Sequence, residues 1–338
     1  MSLSRSATFP FLKLPFLCHE CVIKSWDIFD IIFFALISKR TRQIVKNLKI
    51  PLNGVGVSVR VLKWIEFDSK KWKITRKNSQ SLLEDNPDLR KDCLVLKNIE
   101  IPLYSRRTND GLVSYTDVNE VTALKLVMEF LTEVFKFSVE TVWIDDDNFP
   151  KSGDIGVNST VNLIIGNTRG YAQSQKLNLL LENLEVTGTC KFLMTSTEKG
   201  FYVDPRLFKC KKLVFFSGSA AWVTRDILLQ FEVLRLQFLG CWFFEEDIAA
   251  FVTQWSHSDN DKLEYLYISL KSGDYSLERF RTSELTPVPF SGRNRVPLTK
   301  SFTGIDFSKG LEIVRHDGLS ASIHVKGKAL LFYVWHNQ

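Results

Sequence analysis

The segment Phe231–Ile268, FEVLRLQFLGCWFFEEDIAAFVTQWSHSDNDKLEYLYI, decides how most of this chain is built. Both of its ends carry an apolar frame with spacing x, x+3, x+5: Phe231-Leu234-Leu236 and Leu263-Leu266-Ile268. Between them Glu245 through Trp255 reads as a helix, so the segment is a strand–helix–strand unit. The frame recurs upstream at Val139-Val142-Ile144, Leu181-Leu184-Val186 and Cys210-Leu213-Phe215, and more weakly around Leu163-Ile165. Its middle positions lie roughly 21 to 32 residues apart. Further helix-like pieces with plausible caps lie between them, at Asp204-Pro205 and at Thr224 before Ile227-Leu228-Phe231. Strand followed by helix at that period predicts leucine-rich-repeat-like stacking over residues 117–270, each unit covering its neighbour. The asparagine usual in such repeats is missing, which leaves an ordinary α/β layer as the alternative.

Working outward, Val55, Val57, Val59 and Val61 alternate, and Trp64-Ile65-Glu66-Phe67 and Trp72-Lys73-Ile74 follow. Period-two alternation predicts short antiparallel strands over residues 55–75. Another strand is expected at Cys93–Ile101, ended by Pro102, and Ser105–Thr116 reads as a loop around Asn109-Asp110-Gly111. Asp117 with Glu120 resembles a capping box. Behind it Val121, Leu124, Val127, Met128, Leu131, Val134 and Phe135 fall on one helical face. Downstream, Ser272–Lys300 reads as a long exposed connection, and residues 303–336 as a compact β unit. In that unit Leu311–Arg315 meets the tight-turn sequence His316-Asp317-Gly318, then Ala321–Val325. The last strand, Ala329–Trp335, is apolar on both faces and must be buried on both. It is expected in a sheet shared with the strands of 55–75, which would flank the repeat from both ends. The fold class is α/β, with α+β character overall.

A chain of 338 residues with 45% hydrophobic content can bury a large core. The net charge of +6 is spread without a basic block, as on an ordinary solvated surface. Six cysteines at 18, 21, 93, 190, 210 and 241 are read as reduced, buried thiols of an intracellular protein. Lys13 and Pro15 interrupt any signal-peptide core, and the apolar run Ile28–Ile37 is about half the length needed to cross a bilayer. The expected setting is the cytoplasm or nucleus, with no membrane contact.

Few residues suggest chemistry. Cys18-His19-Glu20-Cys21 lacks a second ligand pair at zinc spacing, so its cysteines read as core of a first helix. Asp145-Asp146-Asp147 lacks the glycine and distal glutamate of a calcium loop and reads as solvated. The histidines at 19, 257, 316, 324 and 336 form no metal pair at helical spacing, and no nucleophile elbow, phosphate loop or dinucleotide fingerprint occurs. The expectation is a non-enzyme without catalytic residue, metal or cofactor. Among 26 Phe and 8 Trp, most are read as core, while Trp222, Trp242-Phe243-Phe244 and Trp255 near the repeat edges are candidates for exposure.

The start of the chain carries the partner signal. Within residues 9–49, Pro15 opens a helix with Leu17, Cys18, Cys21, Val22, Ile23 and Trp26, and only Asp30 is polar between Ile28 and Ile37. A helix apolar all round must be covered all round. A module of about 40 residues cannot do this alone, so a partner or the rest of the chain supplies cover.

The residues Phe9-Pro10, Leu14-Pro15, Val22-Ile23, Ser25-Trp26-Asp27, Ile31, Leu36, Ser38-Lys39-Arg40 and Ile44-Val45-Lys46 resemble an F-box of the nematode type. Cys18 and His19 stand where aliphatic residues are usual, Ile28 replaces a common proline and Ala35 a common serine. Residues 50–338 resemble the domain that accompanies such F-boxes, on Gly304-Ile305-Asp306, Glu312–Gly318, Tyr333–His336 and the block Cys190–Tyr267. The resemblance implies a three-helix F-box at 9–49 docking a Skp-type adaptor, and through it a cullin of an SCF-type ubiquitin ligase. It implies contacts from Leu14, Pro15, Val22, Ile23, Trp26, Ile31 and Leu36, with residues 50–338 recruiting an unidentified target protein. The competing reading is nucleic-acid binding through Lys39, Arg40, Arg42, Lys46 and Lys49 with the abundant aromatics.

Overall fold

The computed structural model describes residues 11–76, 90–96, 99–108, 111–145, 155–166, 172–194, 197–281, 285–290 and 306–336. The chain divides into two units. One takes Met1–Ser58, Leu62–Val139 and Ile155–Val157; the other takes Val59–Val61, Glu140–Asp154 and Asn158–Gln338.

The first unit opens with helices α1 (Phe16–Lys24), α2 (Ile28–Ile37) and α3 (Lys39–Leu48). Pro15 stands at the head of α1 with φ −56°, where a missing N–H costs nothing. The Asp27 carboxylate accepts from Phe29 N at 2.9 Å and caps α2. Ser38 and Thr41 bond reciprocally at 3.1 and 3.0 Å, so the Ser-Lys-Arg stretch starts a helix rather than continuing one. Strands β1 (Val55–Val59), β2 (Lys63–Phe67), β3 (Lys70–Arg76), β4 (Arg90–Leu96), β5 (Ile99–Thr108) and β6 (Gly111–Thr116) lie in the order β1-β2-β3-β6-β5-β4. Helix α4 (Glu120–Val134) packs on β2 and β3 and buries Leu124, Val127, Met128 and Leu131.

Three local readings change here. Ser105–Thr116 is not a loop but the second half of β5 and all of β6, paired antiparallel from Tyr104↔Tyr115 to Thr108↔Gly111. Asn109-Asp110-Gly111 is a hairpin-turn sequence; of its residues, 109 and 110 lie outside those described. Gly111 is required by its φ of +141° and by Lys71 O, which would lie 2.1 Å from a Cβ. The single strand expected at Cys93–Ile101 is the meeting of β4 and β5, with Cys93 opposite Pro102. Pro102 is tolerated because β6 pairs only with Tyr104–Thr108. The cap of α4 is Asn119, whose side chain accepts from Val121 N and Thr122 N, not Asp117.

The second unit contains the repeating frame. Strands β7 (Val139–Asp145), β8 (Ser159–Gly166), β9 (Glu185–Phe192), β10 (Lys212–Phe215), β11 (Arg235–Cys241) and β12 (Tyr265–Leu270) lie side by side in chain order, all parallel. Helices α5 (Ser174–Asn183), α6 (Arg225–Leu228) and α7 (Glu245–His257) occur between successive strands. Two rows of side chains cross the sheet in register. One is Val142, Leu163, Cys190, Leu213, Leu236 and Leu266; the other is Ile144, Ile165, Phe192, Phe215, Phe238 and Ile268. None is more than 1% exposed. In the second row the Phe192, Phe215 and Phe238 rings stack with centroids 4.8 and 5.0 Å apart. Trp222 and Phe231 lie against Phe215 at 5.9 and 6.0 Å.

The C-terminal strands β13 (Val288–Pro289), β14 (Leu311–Val314), β15 (Ser320–Lys326) and β16 (Ala329–Trp335) continue this sheet as β12-β16-β15-β14-β13, all antiparallel. β16 therefore does not pair directly with the strands of 55–75. A strand has two edges, and β12 and β15 occupy both of those on β16. Its two apolar faces are explained locally: Leu330 and Phe332 extend the buried rows, while Leu331, Tyr333 and Trp335 pack with Phe307 and Tyr265 on the other side. The Trp335 indole N–H donates to Ser322 Oγ at 2.6 Å. Within the expected exposed connection, Tyr275, Phe280 and Leu285 are buried and Val288–Pro289 pairs with β14. The turn at Gly318 is closed by Arg315, whose guanidinium donates to both carboxylate oxygens of Asp317. His324 on β15 lies 5.9 Å from the Phe307 ring with a buried, unpartnered Nδ1. Burial holds its imidazole below its usual range, outweighing the pull of Asp306.

Replacing Phe215 by Ala should cost about 3–5 kcal/mol in denaturant unfolding, because ring and stacking partners are lost in a filled core. Phe244→Ala, at a position 73% exposed, should stay within about 0.5 kcal/mol. For His324 the unfolded chain takes up a proton first, near the ordinary value of about 6.5. Its stabilising contribution is therefore complete above that value and declines as pH falls below it. Thermal melts across this window should show a declining midpoint that flattens in His324→Leu.

Candidate functional site

Helix α1 separates its side chains into two faces. His19 and Ile23 turn inward, 6% and 0% exposed. His19 Nε2 lies 2.8 Å from Phe11 O and its ring 5.0 Å from the Phe11 ring. Phe11, Trp26 and Phe34 form an aromatic knot with centroid separations of 5.4 to 5.7 Å. The opposite face presents Leu17, Cys18, Cys21 and Val22 at helical spacing, with Phe16 beside them. Phe16 is 46%, Leu17 71% and Val22 37% exposed, and Ile37 at the end of α2 is 64% exposed.

Of the predicted contact residues, Pro15 and Val22 are exposed, and Leu14, Trp26 and Leu36 are half-buried. Ile23 and Ile31 are core, at 0% and 4% exposure, so they support this surface rather than form it. The remaining cover for α2 comes from within the first unit. Phe29 packs on Phe67 at 5.4 Å, and Lys70 pairs with Asp27. Arg42 of α3 lies over the Phe130 ring at 5.2 Å and pairs with Glu133. Arg40 donates to Leu12 O at 2.8 Å, so part of the basic set on α3 is engaged inside the fold. Phe16 and Ile37 were not singled out in the sequence; the inward turn of His19 and Ile23 is what leaves this side of α1 open. The same rotation corrects the reading of Cys18 and Cys21 as core: both are exposed.

In the second unit the face opposite the buried rows presents two further rows. Thr141, Asn162, Thr189, Lys212, Arg235 and Tyr265 form one; Trp143, Ile164, Lys191, Val214, Gln237 and Tyr267 form the other. Phe307 and Phe290 pack over Tyr265, Tyr333 and Trp335. Over β9 to β11, Lys191, Lys212, Arg235 and Gln237 remain half-exposed. Arg235 donates to Glu264 at 2.6 Å, and Gln237 to the Tyr265 hydroxyl at 3.0 Å.

At the C-terminal ends of β10 and β11, Gly218, Ala220, Val223, Gly240, Trp242 and Phe243 line a cavity of about 220 Å³. Of the aromatics near the repeat edges, Trp222, Phe243 and Trp255 are buried, whereas Trp242 is 61% exposed beneath the Lys271 ammonium. Asp145 is not solvated: it is 1% exposed and accepts from Arg60 Nε at 2.8 Å, while Asp146 and Asp147 lie outside the described residues. Among the described residues no group of three His, Cys, Asp or Glu could hold a metal ion, and no helix is long and apolar enough to cross a membrane.

A family model described as "F-box associated" matches residues 206–268, which run from the turn before β10 into β12. Two nematode proteins from Caenorhabditis elegans are similar in sequence. "Uncharacterized protein F59B2.8" is 22% identical over 353 residues, covering 98% of this chain and 78% of that protein. "Uncharacterized protein F59B2.9" is 27% identical over 140 residues, covering 40% of this chain and 32% of that protein. No solved structure matches the chain.

The thiols offer a direct check on the orientation of α1. Burial pushes Cys190 well up and Cys210 up to about 11, and Cys241 is raised by the same cause. Maleimide labelling of the native protein, mapped by mass spectrometry, should modify Cys18 and Cys21 within minutes and leave Cys190, Cys210 and Cys241 protected until denaturant is added.

Proposed function

We propose that this chain is a substrate-recognition adaptor of an SCF-type ubiquitin ligase, without catalytic residues of its own, working in the cytoplasm or nucleus. The observation that carries the reading is the F-box-associated match at residues 206–268. The three short N-terminal helices, with an apolar face left open on α1, support it. In this reading residues 9–49 are an F-box docking a Skp-type adaptor, which links the chain to a cullin. Leu14, Pro15 and Val22 contact the adaptor together with Phe16, Leu17 and Ile37, while Trp26 and Leu36 border the contact and Ile23 and Ile31 hold its shape. Fully burying an aliphatic side chain such as Leu17 contributes roughly 1.5–3 kcal/mol, so a few of these residues suffice as anchors for an interface. The second unit holds the target, and ubiquitin transfer follows from the raised local concentration of acceptor lysines.

Pull-down with a Skp-type adaptor tests the docking step. Wild type should be recovered. Leu14→Ala with Pro15→Ala, and separately Leu17→Asp with Val22→Asp, should each reduce recovery roughly tenfold or more, with unchanged melting for the exposed pair. Equal recovery of all three proteins, or of none, would sink the reading.

A further inference from the structure

The open face of β9 to β11 holds a charge arrangement that the fold leaves uncompensated. Lys191 on β9 and Lys212 on β10 project from the same side of the sheet and are diagonal neighbours, since Thr189 pairs with Lys212 and Lys191 with Val214. Among the described residues neither has a hydrogen-bond or ion-pair partner. The nearby carboxylate of Glu264 is already committed to Arg235, and Glu185 lies at the opposite end of β9 from Lys191. Burial, Lys191 and Arg235 together hold the Lys212 ammonium below its usual range, which an anion between the two lysines would reverse. Beside them stand the half-buried Ile164 and the Gln237 amide, one apolar and one neutral hydrogen-bonding group, while Val214 next to Lys191 is buried.

We propose that this face binds an acidic peptide segment of the recruited protein, with Asp or Glu carboxylates seated between Lys191 and Lys212 and a neighbouring side chain laid on Ile164. The proposal rests on the adaptor reading above for taking the ligand to be a protein chain. Charge complementarity selects an acidic segment. Two free cations are too few to track a polyphosphate backbone, where affinity grows with the number of phosphates neutralised. They suit one or two carboxylates held by charge-assisted hydrogen bonds.

The test uses the full chain and a fluorescently labelled peptide alternating Glu and Ser, with its Gln-Ser counterpart and oligouridylate as comparators. Fluorescence anisotropy should show binding of the acidic peptide to wild type and roughly tenfold or greater weakening in Lys191→Glu, Lys212→Glu. The Gln-Ser peptide should not bind, and Lys199→Glu, Lys309→Glu, which reverses two exposed lysines elsewhere, should bind as wild type does. Lys191→Gln, Lys212→Gln, checked by melting, repeats the loss without charge reversal. No binding of the acidic peptide, equal weakening in both charge-reversed pairs, or tighter binding of oligouridylate would each overturn the proposal. Recovery on the Skp-type adaptor should be unchanged by the Lys191 and Lys212 substitutions. In the wild-type chain, absent peptide binding with intact adaptor recovery defeats this assignment alone, whereas peptide binding without adaptor recovery defeats the docking reading alone.

Discussion

The rest of the second unit depends on the stacking of two apolar rows in register, from Val142 and Ile144 on β7 to Leu266 and Ile268 on β12. A parallel strand flanked by helices cannot shift by one residue without turning its buried set to the opposite face. Each strand is thus locked by both neighbours, and the stacked rings of Phe192, Phe215 and Phe238 add a shape constraint to the hydrophobic one. Once these rows are buried, alternation assigns everything else on the strands to the other side. The open face with its lysines is a by-product of the core.

This is also why much of the architecture could be read from the chain and its details could not. The frame picked the correct row residues at Val142-Ile144, Leu163-Ile165, Leu213-Phe215 and Leu266-Ile268. On β9 it chose Leu184 and Val186, but the rows pass through Cys190 and Phe192, because β9 runs on for several residues past the first apolar pair. On β11 it chose Leu234 and Leu236 where the rows take Leu236 and Phe238. Spacing identifies a strand; only a neighbour fixes its register. The same limit applies to β16, whose two apolar faces announce burial without saying which strands pair with it. At the N-terminus the composition of α1 predicted an apolar surface, but its rotation is set by tertiary partners. Phe11 takes His19, which leaves the cysteines outside.

The two units solve the problem of apolar surface differently. In the second, Trp222, Phe231 and Trp255 close over the rows, with Trp255 5.0 Å from Phe332. In the first, α3 and α4 lie on the inner side of the helices, whereas Leu17 and Phe16 stay 71% and 46% exposed. A monomer can carry isolated exposed leucines without consequence. A contiguous apolar face on a short N-terminal helix is a different matter, and it is the surface on which the proposed docking rests.

The place of β16 carries a consequence for how the protein is made. The parallel run grows in chain order, and each new strand covers the edge of the one before it. The edge of β12, however, waits for residues 329–335, the last strand of the sheet to be synthesised, which enters antiparallel between β12 and β15. Until then the emerging chain carries an unpaired apolar strand edge, the kind that recruits other chains. A message truncated anywhere before residue 329 would leave that edge open permanently. Quality control during translation would therefore meet this sheet at its most adhesive just before β16 emerges.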